Sequence, residues 1–328
     1  MRLQLFLIAM LVTVPPAIAQ ESLRPDVPVA IVGGMLLDGY EAAPIHHSVV
    51  VFENGRITAV GQKHDTEIPD NAVVIDAGGR TVMPGLIDAH MHIDLIGHGS
   101  YEDYYKLIGD MDNIGRFMQI AAKQMIRAGV TSGLDLGAPF QAFDFRERVR
   151  RGEIPGPRLT LSGPWITRVD YDTVPDEYEI VIDSPRDAAQ KTRELIDRGV
   201  DVIKVWVGLT EDDYRAVVEE ANKAGVRVHA HLYDPEAIRM AIDSGVHVFQ
   251  HVGSARNPPY DDALLSEIAH RNIPIVQTIA HRIWVYPATV ACPETLYDPV
   301  YRDDMPAHVY ESFIASFDNY HRLSYYQD

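Results

Sequence analysis

The chain has 328 residues, 46% of them hydrophobic and 23% charged, which supplies a sizeable core and argues against a disordered polymer. Its formal net charge of -18, with no Lys/Arg-rich stripe, excludes the electrostatics that nucleic-acid binding requires. A single cysteine, Cys292, excludes an intrachain disulfide.

Met1-Arg2, an apolar run over 3–14, Pro15-Pro16 and Ala17-Ile18-Ala19 have the three parts of a secretory signal. Residues 1–19 are therefore expected to be removed, and the protein to be periplasmic or secreted. About a dozen apolar residues fall short of the roughly 20 that span a bilayer. No membrane association is expected after signal removal. Short β-type runs follow at 29–33, 48–52, 57–61 and 72–76, separated by turn residues, and they predict a small β domain over 20–82. Asn54-Gly55 favours positive φ and predicts a hairpin.

After Thr81 the period changes, and apolar strands of about six residues alternate with amphipathic helical stretches, as in a parallel sheet with helical crossovers. The expected strands are 85–92, 130–136, 158–162, 202–207, 227–232, 247–252 and 273–279. Ser184-Pro185 opens a helix ending at Gly199, Thr210 with Asp213 resembles a capping box, and Asp234-Pro235 opens a helix ending at Gly245. The fold class is therefore α/β, a TIM-type (β/α) barrel over 83–328. Such a barrel needs eight strands, and about seven units are found. One more helix is expected within 305–323, so the barrel reads as C-terminally incomplete at Asp328.

Side chains alternate along a strand, so His90 and His92 point to one side with Met91 opposite. Two imidazoles at i and i+2 can grip one cation. His229-Ala230-His231 repeats the arrangement on the fifth strand, and His251 ends the sixth. Taken singly, each is more often a satisfied core histidine. Together they converge on the rim where active sites of this fold sit. Lys204 lies in the nearly apolar run Asp201-Val202-Ile203-Lys204-Val205-Trp206-Val207, where a buried ammonium costs several kcal/mol unless paired or neutralised. One solution is a neutral amine that captures CO2 as a carbamate, an anionic ligand able to bridge two cations. A lysine paired to an interior carboxylate and a Schiff-base lysine are the alternatives.

The segments 84–92 (Pro-Gly-Leu-Ile-Asp-Ala-His-Met-His), 128–131 with 134–137, 152–158, 199–205, 231–238 and 241–251 together resemble the amidohydrolase superfamily, in its imidazolonepropionase-like and Xaa-Pro dipeptidase-like branch. The resemblance implies that the β domain is the N-terminal part of a composite β-sandwich. It implies two divalent cations, with His90 and His92 on the buried one, His231 and His251 on the exposed one, and carboxylated Lys204 between them. Counting back from Pro235-Glu236-Ala237-Ile238 selects His231 over His229, which becomes an interior supporting residue or an alternative ligand. Tyr233 matches a tyrosine that polarises a scissile carbonyl. The donor set suits zinc, with manganese, cobalt or iron as alternatives.

The family's strand-eight aspartate has no equivalent before residue 328, and Asp318 falls in a helical stretch. The Gly- and His-rich loop of some relatives is also replaced, by residues 165–172. The implied activity is hydrolysis of a C–N bond in a small substrate such as a dipeptide or N-acyl amino acid. A lactone or phosphotriester hydrolase on the same two cations, and a metal-binding protein without turnover, are the rivals. His98, His281, Arg168 and Arg282 are further candidates for contact with a substrate carboxylate.

Overall fold

The computed structural model describes residues 26–96, 105, 114–253, 259–278 and 292–319. The expected leader over 1–19 lies outside the described residues. Contacts divide the chain into two compact units, Met1–Pro84 and Gly85–Asp328.

The first unit contains β1 (Val29–Val32), β2 (Met35–Leu36), β3 (Ser48–Glu53), β4 (Arg56–Gln62), β5 (Val73–Asp76) and β6 (Thr81–Val82). Four of them form a sheet in the order β4-β3-β1-β5, and β2 pairs with β6. Alternation puts Ala30, Val32, Val49 and Val51 on one face, where they form a small core. The expected hairpin is present. Asn54 and Gly55 have φ of 52° and 71°, the two positive values that match the twist of the flanking strands.

The second unit runs β7 (Leu86–Met91), α1 (Ile114–Arg127), β8 (Val130–Asp135), α2 (Gln141–Arg150), β9 (Arg158–Leu161), β10 (Trp165–Thr167), β11 (Glu179–Val181) and α3 (Pro185–Asp197). It continues with β12 (Val202–Val205), α4 (Glu211–Ala224), β13 (Arg227–His231), α5 (Pro235–Asp243), β14 (Val248–Gln250), α6 (Asp262–His270), β15 (Ile275–Val276), α7 (Pro299–Asp304) and α8 (Ala307–Asn319). All strand pairs in this unit are parallel. Each of the seven expected strands is found, trimmed at its ends. β10 and β11 were not expected, because three residues are too few to show a period.

Two sheets result, β7-β8-β9 and β11-β10-β12-β13-β14-β15. They meet where the Asp201 amide donates to the Leu161 carbonyl (2.9 Å) and the Leu161 amide donates to the Asp201 carboxylate (2.8 Å). The architecture is thus mixed α/β with parallel sheets. No ladder joins β15 to β7 among the described residues, so the expected barrel is open there. At the β7 edge Leu86 and Ile87 are 50% and 75% exposed, and Asp318 lies in α8, not on a strand.

Alternate residues of the larger sheet pack under the helices. Ile203, Val205, Val228, Ala230 and Phe249 form one core with Val217, Ala221, Ile238 and Ala241. Their neighbours in sequence, Lys204, His229 and Gln250, therefore point to the other face. At the far end, Met305 and Val309 join the core beneath α1, and Lys123 and Arg127 of α1 pair with Asp304. Among the described residues no helix is long and apolar enough to cross a membrane.

The helix starts follow the sequence signals. Ser184 caps α3 through the Asp187 amide, Asp234 caps α5, and Thr210 with Asp213 forms a complete capping box on α4. Asp213 is fully buried, accepts from the Thr210 amide (2.8 Å) and hydroxyl (2.7 Å), and receives a two-pronged bond from Arg168 (2.6 and 2.9 Å). Burial pushes its carboxyl up, but the bonds from Arg168 and Thr210 hold it below the usual range. Asp213→Ala removes the cap and strands the guanidinium. It should cost about 2–4 kcal/mol, read as a lower midpoint in urea with an unchanged slope.

Candidate metal centre

Alternation on β12 and β13 brings Lys204 and His229 to one side of the larger sheet, directly paired in register, and His90 of β7 meets them through Gln250 of β14 and the charge of Lys204. His92 and His231 stand at strand ends. The ring centres of His90 and His92 lie 5.5 Å apart, those of His90 and His251 4.5 Å, and those of His231 and His251 4.5 Å. Two imidazoles that share a cation at about 2.0–2.1 Å have ring centres roughly 5 Å apart.

His251 reaches this group by breaking the alternation rule. Gln250 is the last residue of β14 and faces inward, so an extended His251 would face the helices. Its φ is instead +70°, a left-handed conformation that non-glycine residues rarely adopt. The turn swings the ring back beside His90 and His231, and its Nδ1 lies 3.1 Å from the Thr278 hydroxyl. Tyr233 stacks on His251, with centroids 5.3 Å apart and planes at 26°. It also meets His231 edge-on at 4.7 Å.

Lys204 is 2% exposed, and its Nζ has no hydrogen-bond partner. Burial pushes its pKa down from 10.5 to about 7. The His90 pKa is held well below 6.5, first by burial and then by the charges of Lys204, His251 and His92. Burial likewise takes His229 down to about 4. These are bases packed together at the cost of their charged forms.

Sequence reasoning missed Gln250, which is fully buried. Its Oε1 lies 2.7 Å from His90 Nδ1 and its Nε2 2.9 Å from His229 Nδ1. The available signal was a polar residue between the apolar pair Val248-Phe249 and His251.

The wall beyond His92 was also missed. Trp165 stands 6.5 Å from His92 and 4.8 Å from Trp206, which stands 4.8 Å from Tyr171. Gly137 makes room for this indole: a Cβ there would come within 2.2 Å of Trp165. Behind it, Asp135 accepts from the amides of Ile93 (2.7 Å) and Gly137 (2.9 Å), while Tyr178 donates to Asp94.

Arg168 is committed to Asp213 and to the Asp183 carbonyl (2.8 Å), so its expected availability to a substrate is corrected. His98, His281 and Arg282 lie outside the described residues. Among the described residues no group of three or more His, Cys, Asp or Glu side chains is arranged to hold a metal ion as it stands. The donor chemistry still fits one. His90 and His229 lie beside a buried amine with no hydrogen-bond partner, His92, His251 and His231 continue the group from His90, and a carbamate on that amine would add the anionic oxygens that this set lacks.

Solved structures with this fold include an amidohydrolase (26% identical, TM-score 0.68, 90% of this chain and 76% of that one). A prolidase in complex with N-methylphosphonate-L-proline is also similar (23% identical, TM-score 0.68, 90% and 74%). The 5'-deoxyadenosine deaminase of Methanosarcina barkeri is 25% identical over 244 residues, 64% of this chain and 50% of the relative. The chain spans about half the length of the curated relatives it matches most strongly over a long stretch. Residues 81–297 match the amidohydrolase family, and the chain belongs to that family.

Proposed function

We propose that this chain carries the metal centre of a hydrolase that cleaves a C–N bond in a small substrate, a dipeptide or an N-acyl amino acid. One observation carries the reading: a buried lysine amine without a hydrogen-bond partner sits among histidines from separate strands. The family and its deaminase and prolidase relatives support the reaction class.

In this reading His90 and His92 would hold one divalent cation and His231 and His251 a second, with a carboxylated Lys204 as the shared anionic ligand and zinc as the metal that would suit the donors. The chemistry that such cations would supply is Lewis acidity toward a carbonyl oxygen and toward water near neutral pH. The protein's own part is positioning. The left-handed turn at His251 fixes one ring, and Tyr233 stacks on His251 and meets His231 edge-on, where its phenol would polarise a substrate carbonyl. Trp206 and Tyr171 form an aromatic flank that limits water around the substrate's side chain. Export by the 1–19 leader belongs to the same reading, and N-terminal sequencing of the mature protein tests it.

Lys204→Met should lower turnover by at least two orders of magnitude and reduce bound zinc, read by elemental analysis of purified protein. In Lys204→Ala, short carboxylic acids should restore part of the rate by filling the vacated space. A Lys204→Met protein with wild-type rate and metal content would remove the bridging role.

The same lysine has a stability signature in chelator-treated protein. With its pKa at 10.5 unfolded and about 7 folded, the unfolded chain binds the extra proton between these values. Stability should therefore rise with pH from about 7 to about 10.5. The full penalty, about 5 kcal/mol for such a shift, applies below pH 7. Lys204→Met should remove this slope and raise the metal-free unfolding midpoint at pH 7, as followed by denaturant titration across that range.

A further inference from the structure

We infer that Gln250 is a positioning residue that sets the tautomers of two histidines, presenting His90 as a ligand through Nε2 and withholding His229 from the metal. The inference rests on the metal-centre reading above and adds to it the means by which adjacent imidazoles are told apart. His90 and His229 are alike in chemistry, both buried on the inner face and both beside Lys204. What separates them is one amide.

A neutral imidazole has one N–H and one lone pair, whereas a primary amide offers an oxygen that only accepts and a nitrogen that only donates. Gln250 Oε1 faces His90 Nδ1 at 2.7 Å, so that nitrogen carries the hydrogen. The His90 lone pair then lies on Nε2, at the far side of the ring. Gln250 Nε2 faces His229 Nδ1 at 2.9 Å, so that nitrogen is the acceptor and the hydrogen sits on Nε2. Each nitrogen of His229 is therefore taken, one by the amide and one by its own proton. A metal finds no lone pair there.

The amide is itself held. Gln250 is 0% exposed, its backbone pairs in register with His231, and its carbonyl accepts from the Leu232 amide at 3.2 Å. The residue that orients His90 is thus bonded to the strand end that carries His231 and precedes His251 in the chain. Hydrogen-bond partners of ligating histidines commonly change metal affinity by 10- to 100-fold when removed.

The test uses the full chain with 15N-labelled histidine. Long-range nitrogen–proton correlation spectra of metal-free protein report which ring nitrogen carries hydrogen, and His90→Asn and His229→Gln variants assign the two rings. Zinc affinity is measured separately by competition with a chelator. The wild type should show hydrogen on Nδ1 of His90 and on Nε2 of His229. Gln250→Leu should erase both preferences and weaken zinc by about 10- to 100-fold.

Gln250→Glu keeps an acceptor for His90 but can no longer donate to His229. It should hold zinc affinity within several-fold of wild type while inverting the His229 tautomer. Hydrogen on Nε2 of His90 in the wild type would overturn the inference, as would unchanged tautomers and zinc affinity in Gln250→Leu. Stated tautomers in a wild-type protein that binds no zinc would instead overturn the metal-centre reading and leave the tautomer assignment standing.

Discussion

A lysine amine buried without a hydrogen-bond partner is the constraint around which this fold is arranged. Lys204 cannot escape by turning outward. Ile203 and Val205 already occupy the helix-facing core, and a one-residue slip of β12 would bury Lys204 under the helices and bring both isoleucine and valine inside. Nor does a neighbour relieve it, since the groups whose charges couple to His90 are other bases. The remaining outcome is loss of the proton, and a neutral amine near pH 7 is what reaction with carbon dioxide requires. A position that disfavours the folded state is thereby the position on which the proposed metal centre would draw.

The second departure from regularity lies at the end of β14. Strict alternation allows only one of Gln250 and His251 to face the site. The chain has both there by leaving the strand at His251 with a positive φ, at a cost of order 1–3 kcal/mol. Stacking against Tyr233 and the Thr278 contact oppose that cost. The gain is geometric: a ring that packs against His90 and His231 together, with the amide that orients His90 one residue before it.

These features explain what could be read from the residues and what could not. Strands buried under helices leave continuous apolar runs, so β12, β13 and β14 were visible, and histidines at i and i+2 marked which face was polar. Capping boxes are local, so the start of α4 was visible too. The partner of Asp213 was not, because the pairing of Arg168 with it depends on how β10 and α4 meet. β10 and β11 were too short to show a period. Gln250 was passed over because one amide next to a histidine has no pattern, and its meaning comes only from the two rings that it joins. The alternation showed seven strands where a closed barrel needs eight, and the described residues form two parallel sheets without a ladder from β15 to β7.

The buried carboxyls Asp94 and Asp135 make their bonds to groups other than Lys204. Asp135 ties the turn after β7 to the turn after β8 through the Ile93 and Gly137 amides, and Asp94 receives the Tyr178 hydroxyl from the segment after β10. Burial raises both carboxyls, Asp94 to about 6 and Asp135 to about 7, the latter also by repulsion from Asp94. These are unfavourable places for carboxylates, and pairing either with Lys204 would relieve both charges. Such a pair would also restore the ammonium and consume the lone pair. The fold instead holds Asp135 against backbone amides and Asp94 against the Tyr178 hydroxyl, which leaves the Lys204 amine beside the imidazoles of His90 and His229.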